Sequence, residues 1–284
     1  MNKLDKVVII ANNKKEEARI LSAEMEEYFS ARDIDVSTIK TVSNEDNVII
    51  PHDTDLVISL GGDGTVLYVA RKVHDLGLPI LPVNLGTFGY ITEVGKDEWK
   101  DALESYLEDG QNLSRRLMLR VSVERNGKRI FSSYALNDAA INASGISKIV
   151  KLELRLDGVY CGLFKADGMI VATPTGSTGY SLAAGGPILT SDISAFIITP
   201  ICPFTLSNRP LVTGSDTNCT IRVVEGQRTQ VGLTVDGQGV FLLEEGDDVI
   251  IEKSRSKALL ITSPARKYIE VIRDKLNWSG EFHA

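Results

Sequence analysis

The sequence predicts two folds in one chain: an α/β N-terminal domain on a parallel sheet, and a β-rich C-terminal domain of two packed antiparallel layers. Two observations predict this. In the N-terminal third, short apolar strand signals alternate with helical stripes, the pattern of βαβ units. Near Asn112 the texture changes to period-two alternation broken by Asn-Gly and Asp-Gly pairs, the pattern of antiparallel hairpins. The boundaries read this way are 1–112 and 113–260, with a C-terminal segment over 261–284.

Val7 to Ala11 is a continuous apolar strand. From Lys14 to Arg32, Ala18, Leu21, Met25, Tyr28 and Phe29 recur at helical spacing. Asp55–Leu60 is a buried-strand run, followed by a glycine cluster. Val66, Leu67, Val69, Ala70, Val73 and Leu76 then form a second helical stripe, closed by Gly77 as a C-terminal cap. Pro79–Val83 is a strand, and Asp97 to Asp109 a helix with Ala102, Leu103, Tyr106 and Leu107 on one face. This order makes the first domain Rossmann-like. Beyond it, Leu117, Leu119, Val121 and Val123 alternate up to an Asn126-Gly127 turn, and Ile130 to Leu136 run back. Leu152, Leu154 and Leu156 alternate before Asp157-Gly158, and further short strands follow at 221–224, 231–235, 240–243 and 249–252. The pattern over Arg266 to Leu276 fits helix or extended chain equally well.

The chain has 284 residues, enough to bury about three quarters of its unfolded surface without a disulfide or metal staple. Its 31 basic and 38 acidic residues give a net charge of −7 with no dense basic run, which disfavours nucleic acid or an anionic membrane as partner. Cys161, Cys202 and Cys219 form no CxxC pair and read as reduced thiols in the core of a cytoplasmic protein. The N-terminal apolar run is too short for a signal peptide, and no stretch approaches the ~20 residues of a membrane span.

The strongest chemical feature is Gly61-Gly62-Asp63-Gly64-Thr65, set between a buried strand and a helix. Glycines let a ligand approach the backbone, and the helix start offers N–H groups and a positive dipole to a phosphate. A carboxylate there repels phosphate, so Asp63 must serve otherwise. It could accept a proton, help hold a divalent ion, or cap the helix. No GxxxxGK[ST] and no GxGxxG after the first strand is present, nor a kinase signature set. The second feature runs from Asp167 to Pro187, where hydroxyls, small residues and Tyr180 crowd together around Thr175, Thr178 and Ser181. Its amides and hydroxyls suit sugar and phosphate, and Tyr180 suits the edge of a ring. The third is Asn137-Asp138, placed at the end of a strand, an amide beside an acid that can read a ribose. His52, His74 (within the second helix) and His283 have no metal-ligand spacing, so a general base is sought among the carboxylates.

Together these residues resemble the NAD kinase family over nearly the whole chain: the GGDGT loop, the Asn-acid pair, the DG…TPTGSTGYSLAAGGP stretch, Thr199-Pro200-Ile201-Cys202-Pro203, Leu206 to Leu211, and Asp236-Gly237-Gln238. The resemblance implies an α/β domain and a β-domain with the active site between them, and a C-terminal segment returning to the first domain. It further implies a homodimer or homotetramer, ATP or another triphosphate or polyphosphate as donor, NAD as acceptor, and Mg²⁺ held mainly through phosphates. It makes Asp63 the base, and Gly61, Gly62, Gly64 and Thr65 the phosphate loop. Asn137 and Asp138 hold the adenine-side ribose. Asp167 is an NAD contact, with Lys165 the basic position two residues before it and Lys148 a further basic contact. Thr175 belongs to the same stretch; Thr178, Gly179, Tyr180, Ser181, Leu182 and Ala183 line the adenosine, with Tyr90 near the adenine and Gln238 in the last motif.

Three positions depart from the family pattern: Asp138 stands where Glu is usual, Gly179 where Ala is common, and Phe204 where His is common. The expected reaction is phosphoryl transfer to the 2′-hydroxyl of the adenosine ribose of NAD, giving NADP. A lipid or sugar kinase sharing the GGDGT loop and a non-catalytic dinucleotide sensor are the alternatives.

Overall fold

The structure, a computed structural model, describes residues 3–12, 15–41, 48–86, 89–144 and 149–276. The described residues up to Arg116 cluster with those from Lys257 onward, and Leu117–Ser256 form a second unit.

In the first unit, strands β1 (Lys6–Asn12), β2 (Asp35–Thr41), β3 (Leu56–Gly61), β4 (Pro79–Asn84) and the short β5 (Val94–Gly95) run parallel to their neighbours. Helices α1 (Glu16–Ser30), α2 (Asp63–Lys72) and α3 (Trp99–Glu108) connect them, and β6 (Leu113–Arg116) follows. Helix α1 forms because Ala18, Leu21, Met25 and Phe29 fall on one stripe, with Glu16 and Glu17 placed favourably at its positive end. That stripe meets Trp99, Ala102, Leu103 and Tyr106 of α3 and the Ile9, Ile58 and Leu81 face of the sheet in one core.

Three readings are corrected. Strand β2 was not expected: as an edge strand it alternates half-buried and exposed residues and shows no apolar run. Helix α2 stops at Lys72 rather than running to Leu76, and Gly77, at φ +64°, closes the turn that follows. His74 therefore lies in that turn, where Nδ1 pairs with the Arg71 carbonyl oxygen at 2.8 Å.

The second unit is the two-layer antiparallel β-structure that the alternation predicts. Its strands in chain order are β7 (Leu119–Arg125), β8 (Lys128–Ala135), β9 (Asp138–Ala143), β10 (Val150–Leu156), β11 (Val159–Ala166), β12 (Gly168–Ala172), β13 (Ala195–Ile201), β14 (Leu211–Gly214), β15 (Cys219–Val223), β16 (Val231–Val235), β17 (Gln238–Leu243) and β18 (Asp248–Lys253). Among the described residues one sheet has the order β11-β10-β15-β18-β7-β8 and the other β14-β13-β12-β9-β16-β17. Val121, Leu152, Ile221 and Val249 of the first meet Ile141, Met169, Phe196 and Leu233 of the second. The Asn126-Gly127, Asp157-Gly158 and Asp236-Gly237 turns all hold both residues at positive φ, the primed geometry that tight hairpins require. A 3₁₀ turn (Thr175–Thr178) and the single-turn helix α4 (Tyr180–Ala183) follow β12.

The chain then returns to the first unit. Strand β19 (Ala258–Ile261) pairs parallel with β4 and antiparallel with β6, so the first sheet is parallel except at that edge. Helix α5 (Tyr268–Leu276) resolves the ambiguous end of the chain, burying Val271 and Ile272. The cysteines are a further correction: Cys219 is buried, whereas Cys161 and Cys202 are exposed. Among the described residues no helix is long and apolar enough to cross a membrane.

Candidate functional site

In the first unit, Gly61 ends β3, Gly62 is the extended N-cap of α2, and Asp63 is the first helical residue. A side chain at Gly61 would collide with Thr65, so the glycine lets strand and helix meet closely. Asp63 does not cap its own helix. Its carboxylate turns to the segment after β4: Oδ2 accepts the Tyr90 N–H at 2.9 Å, and Oδ1 accepts the N–H of Ile91 at 3.3 Å, the N–H of Thr92 at 3.1 Å and the Thr92 hydroxyl at 2.7 Å. Asn84 Nδ2 also reaches Thr92 Oγ1, at 3.3 Å. Tyr90 is thus brought to Asp63 by its backbone; burial, followed by the nearby Asp63 charge, pushes its phenol pKa up.

In the second unit, Asn137 lies between β8 and β9, and Asp138 opens β9 rather than ending a strand. What holds them is the Asp236 carboxylate, which accepts the N–H of Leu136 at 3.0 Å, of Asn137 at 2.7 Å and of Asp138 at 3.1 Å. Thr173 joins them: its N–H donates to the Asn137 carbonyl at 2.8 Å and its hydroxyl to the Leu136 carbonyl at 2.5 Å. Gly176 then passes so close to the Asn137 backbone that a side chain there would clash. This brings Gly179 alongside the pair: a methyl at Gly179 would lie 3.6 Å from Asn137 Nδ2 and 3.9 Å from Asp138 Oδ2. Asn137 Oδ1 is buried and has no hydrogen-bond partner among the described residues. Burial first, then the Asp236 charge, pushes the Asp138 carboxyl up to about 7.

Three hydroxyls of the Gly-rich stretch serve the protein itself. Thr178 Oγ1 donates to the Thr175 carbonyl at 3.2 Å, Ser177 Oγ to the Pro174 carbonyl at 2.6 Å, and Ser181 Oγ pairs with Thr199 Oγ1 at 2.9 Å. Thr175 is buried, and Tyr180 is exposed. Lys165 near the end of β11 and Asp167 just after it are exposed, and Gln238 begins β17. Lys148 lies outside the described residues.

Comparison with known proteins decides the family. The ATP-NAD kinase N-terminal domain matches residues 7–111, and the ATP-NAD kinase C-terminal domain matches residues 136–263. The chain belongs to the NAD kinase family. It is 41% identical over 277 residues to the NAD kinase of Treponema denticola, covering 98% of both chains. With the NAD kinase of Geotalea daltonii it shares 46% identity over 229 residues, 81% of this chain and 80% of the other. Yeast NADH kinase in complex with NADH superposes with a TM-score of 0.86 at 25% identity, over 100% of this chain and 90% of that one. An Archaeoglobus fulgidus NAD kinase in complex with ATP superposes with a TM-score of 0.76 at 26% identity, over 96% and 98% of the two chains.

As an NAD kinase the protein is a phosphotransferase, of a family that phosphorylates NAD to NADP. Sequence reasoning missed the residues that hold its candidate groups in place. Thr92 and Asn84 carry no motif. Asp236 was visible in the Asp236-Gly237-Gln238 motif, yet nothing in the sequence showed its carboxylate reaching residues 136–138.

Proposed function

We propose that this NAD kinase transfers the terminal phosphoryl group of ATP to the 2′-hydroxyl of the adenosine ribose of NAD, with Asp63 as general base. The observation that carries this reading is the pairing of bonds at Asp63. Among the described residues four donors fix its carboxylate, unequally shared, three on Oδ1 and one on Oδ2. Each carboxylate oxygen has about two acceptor sites, so Oδ2, with one donor among the described residues, keeps room for a proton. The 2′-oxygen forms the new P–O bond, the β–γ bridging bond breaks, ADP leaves, and the hydroxyl proton passes to Oδ2. The start of α2, with its N–H groups and dipole, receives the phosphates.

Asn137 and Asp138 hold the ribose. The unpartnered Asn137 Oδ1 is a ready acceptor for a hydroxyl, since buried carbonyl oxygens are normally paired. A protonated Asp138 can donate as well as accept. Tyr180, Asp167 and Lys165 remain in the binding role that the resemblance implies. In the Gly-rich stretch that role falls to the backbone, Thr175 and Tyr180, because the hydroxyls of Ser177, Thr178 and Ser181 already have protein partners. Mg²⁺ would arrive with the triphosphate: among the described residues no three His, Cys, Asp or Glu side chains cluster to hold an ion. A homo-oligomer belongs to the same reading, with Phe204, Leu206, Leu211 and Val212 exposed in the second unit to supply apolar surface.

The test is NADP formation from NAD with ATP, other triphosphates and polyphosphate as donors, repeated with Asp63→Asn. A positioned base is worth ~10²–10⁴ in rate, so the variant loses that factor in kcat with little change in NAD affinity. Turnover near the wild-type rate in Asp63→Asn sinks the assignment. NADH, bound by the yeast relative, is the second acceptor to assay.

A further inference from the structure

Beyond its pairing with β4 and the Asn84 contact to Thr92, the segment that grips Asp63 is tied by a side chain from the C-terminal part of the chain. Arg266 Nη1 donates to the Glu93 carbonyl at 2.8 Å and to Glu98 Oε2 at 2.8 Å, while Nη2 donates to Glu98 Oε1 at 2.6 Å. Glu98 Oε2 also accepts the Gly95 N–H at 3.0 Å. Glu93 follows directly on Thr92, the residue that places two donors on Asp63 Oδ1. A single guanidinium therefore ties both ends of the Glu93–Glu98 segment. The ion pair of the Glu93 side chain is a poorer anchor: it meets buried Arg116 at 3.4 Å, and Arg116 Nε and Nη1 have no hydrogen-bond partner among the described residues.

We infer that Arg266 is a positioning residue for phosphoryl transfer: through the Glu93 carbonyl it sets where Thr92, and hence the Asp63 carboxylate, stands. This rests on Asp63 being the base. The fork on Glu98 would suffice to dock the C-terminal segment. The bond to Glu93 is separate, and only a donor can make it. Lysine keeps the charge but not the planar fork that serves both acceptors at once. A base displaced by about 1 Å can lose ~10²-fold in rate.

The experiment compares Arg266→Lys with the charge swap Arg266→Glu/Glu98→Arg, reading kcat, KM for NAD and melting temperature, alone and with Asp63→Asn. Arg266→Lys is expected to lose about 10–100-fold in kcat with KM nearly unchanged. The swap restores an ion pair and regains melting temperature relative to Arg266→Glu alone. It does not regain kcat, because a carboxylate cannot donate to the Glu93 carbonyl. In the Asp63→Asn background, Arg266→Lys has no further effect on kcat. Recovery of kcat in the swap, or a loss confined to KM, overturns the inference. So does a full multiplicative loss on top of a crippled Asp63→Asn. If Asp63→Asn itself turns over normally, the base assignment fails first and this inference falls with it.

Discussion

The Asp236 carboxylate accepts the backbone N–H of Asp138 at 3.1 Å, so two acids 98 residues apart meet at the start of β9. One is committed to backbone donors. The other is buried beside that negative charge, and its carboxyl is pushed up to about 7.

The first prediction is a pH dependence of stability. In the unfolded chain Asp138 loses its proton near its ordinary value of 3.8, whereas in the folded protein it keeps it to about 7. Between those values the folded state binds more protons, so the contribution of Asp138 is present at acid pH and is lost as pH rises through that window. The slope is at most about 1.4 kcal/mol per pH unit, and it flattens above the folded pKa. Burial opposes the charge of Glu98 and Asp247, but Arg266 and Arg125 hold both below their ordinary values, and they act in the opposite direction. The informative quantity is therefore wild type minus Asp138→Asn in urea unfolding from pH 4 to 8. A difference that does not change with pH refutes the assignment.

Removing the anchor should disturb the same corner in two separable ways. Asp236→Ala leaves the N–H groups of Leu136, Asn137 and Asp138 without their acceptor, at a cost on the order of 3 kcal/mol, and it raises KM for NAD. Asp236→Asn keeps an acceptor oxygen and removes the charge. It should cost less and let the Asp138 carboxyl titrate at lower pH, which carboxyl ¹³C shifts would follow. Equal losses from the two variants would show that hydrogen-bond capacity is not what matters there.

Two glycines, one beside Asp63 and one beside Asn137, should respond oppositely to alanine. A Cβ at Gly89 runs into Asp63 Oδ1 and Thr92 Oγ1, so Gly89→Ala must push the carboxylate out of its grip, and kcat should fall at least ~10-fold. A Cβ at Gly179 meets only ordinary contacts, the nearest being the Gly176 carbonyl at 3.4 Å. Gly179→Ala should fold with near-wild-type stability and change KM for NAD by no more than a few-fold. Steady-state kinetics with melting temperatures checks both.

The resemblance of GGDGT and GSTGYSLAAGGP to NAD kinases, the α/β-to-β change and the two Asn-Gly and Asp-Gly hairpins were all legible in the residues alone. These are local signals: apolar period, turn residues that tolerate positive φ, and glycine where backbone comes close. Edge strand β2 was not legible, because it carries no apolar run, and the end of the chain stayed open between helix and extended chain until the burial of Val271 and Ile272 settled α5.

What tertiary structure alone decided is the direction in which each charged or polar group points. The sequence placed Asp63 at a helix start, where capping that helix was as natural as any other role, but it is the approach of residues 90–92 that turns its carboxylate away. Asp236 reaches Asp138, and Arg266 reaches Glu93, across 98 and 173 residues of chain. Periodicity reports the face on which a residue lies. Hydrogen bonds between distant segments depend on how the strands are ordered in the sheet, which no local pattern encodes.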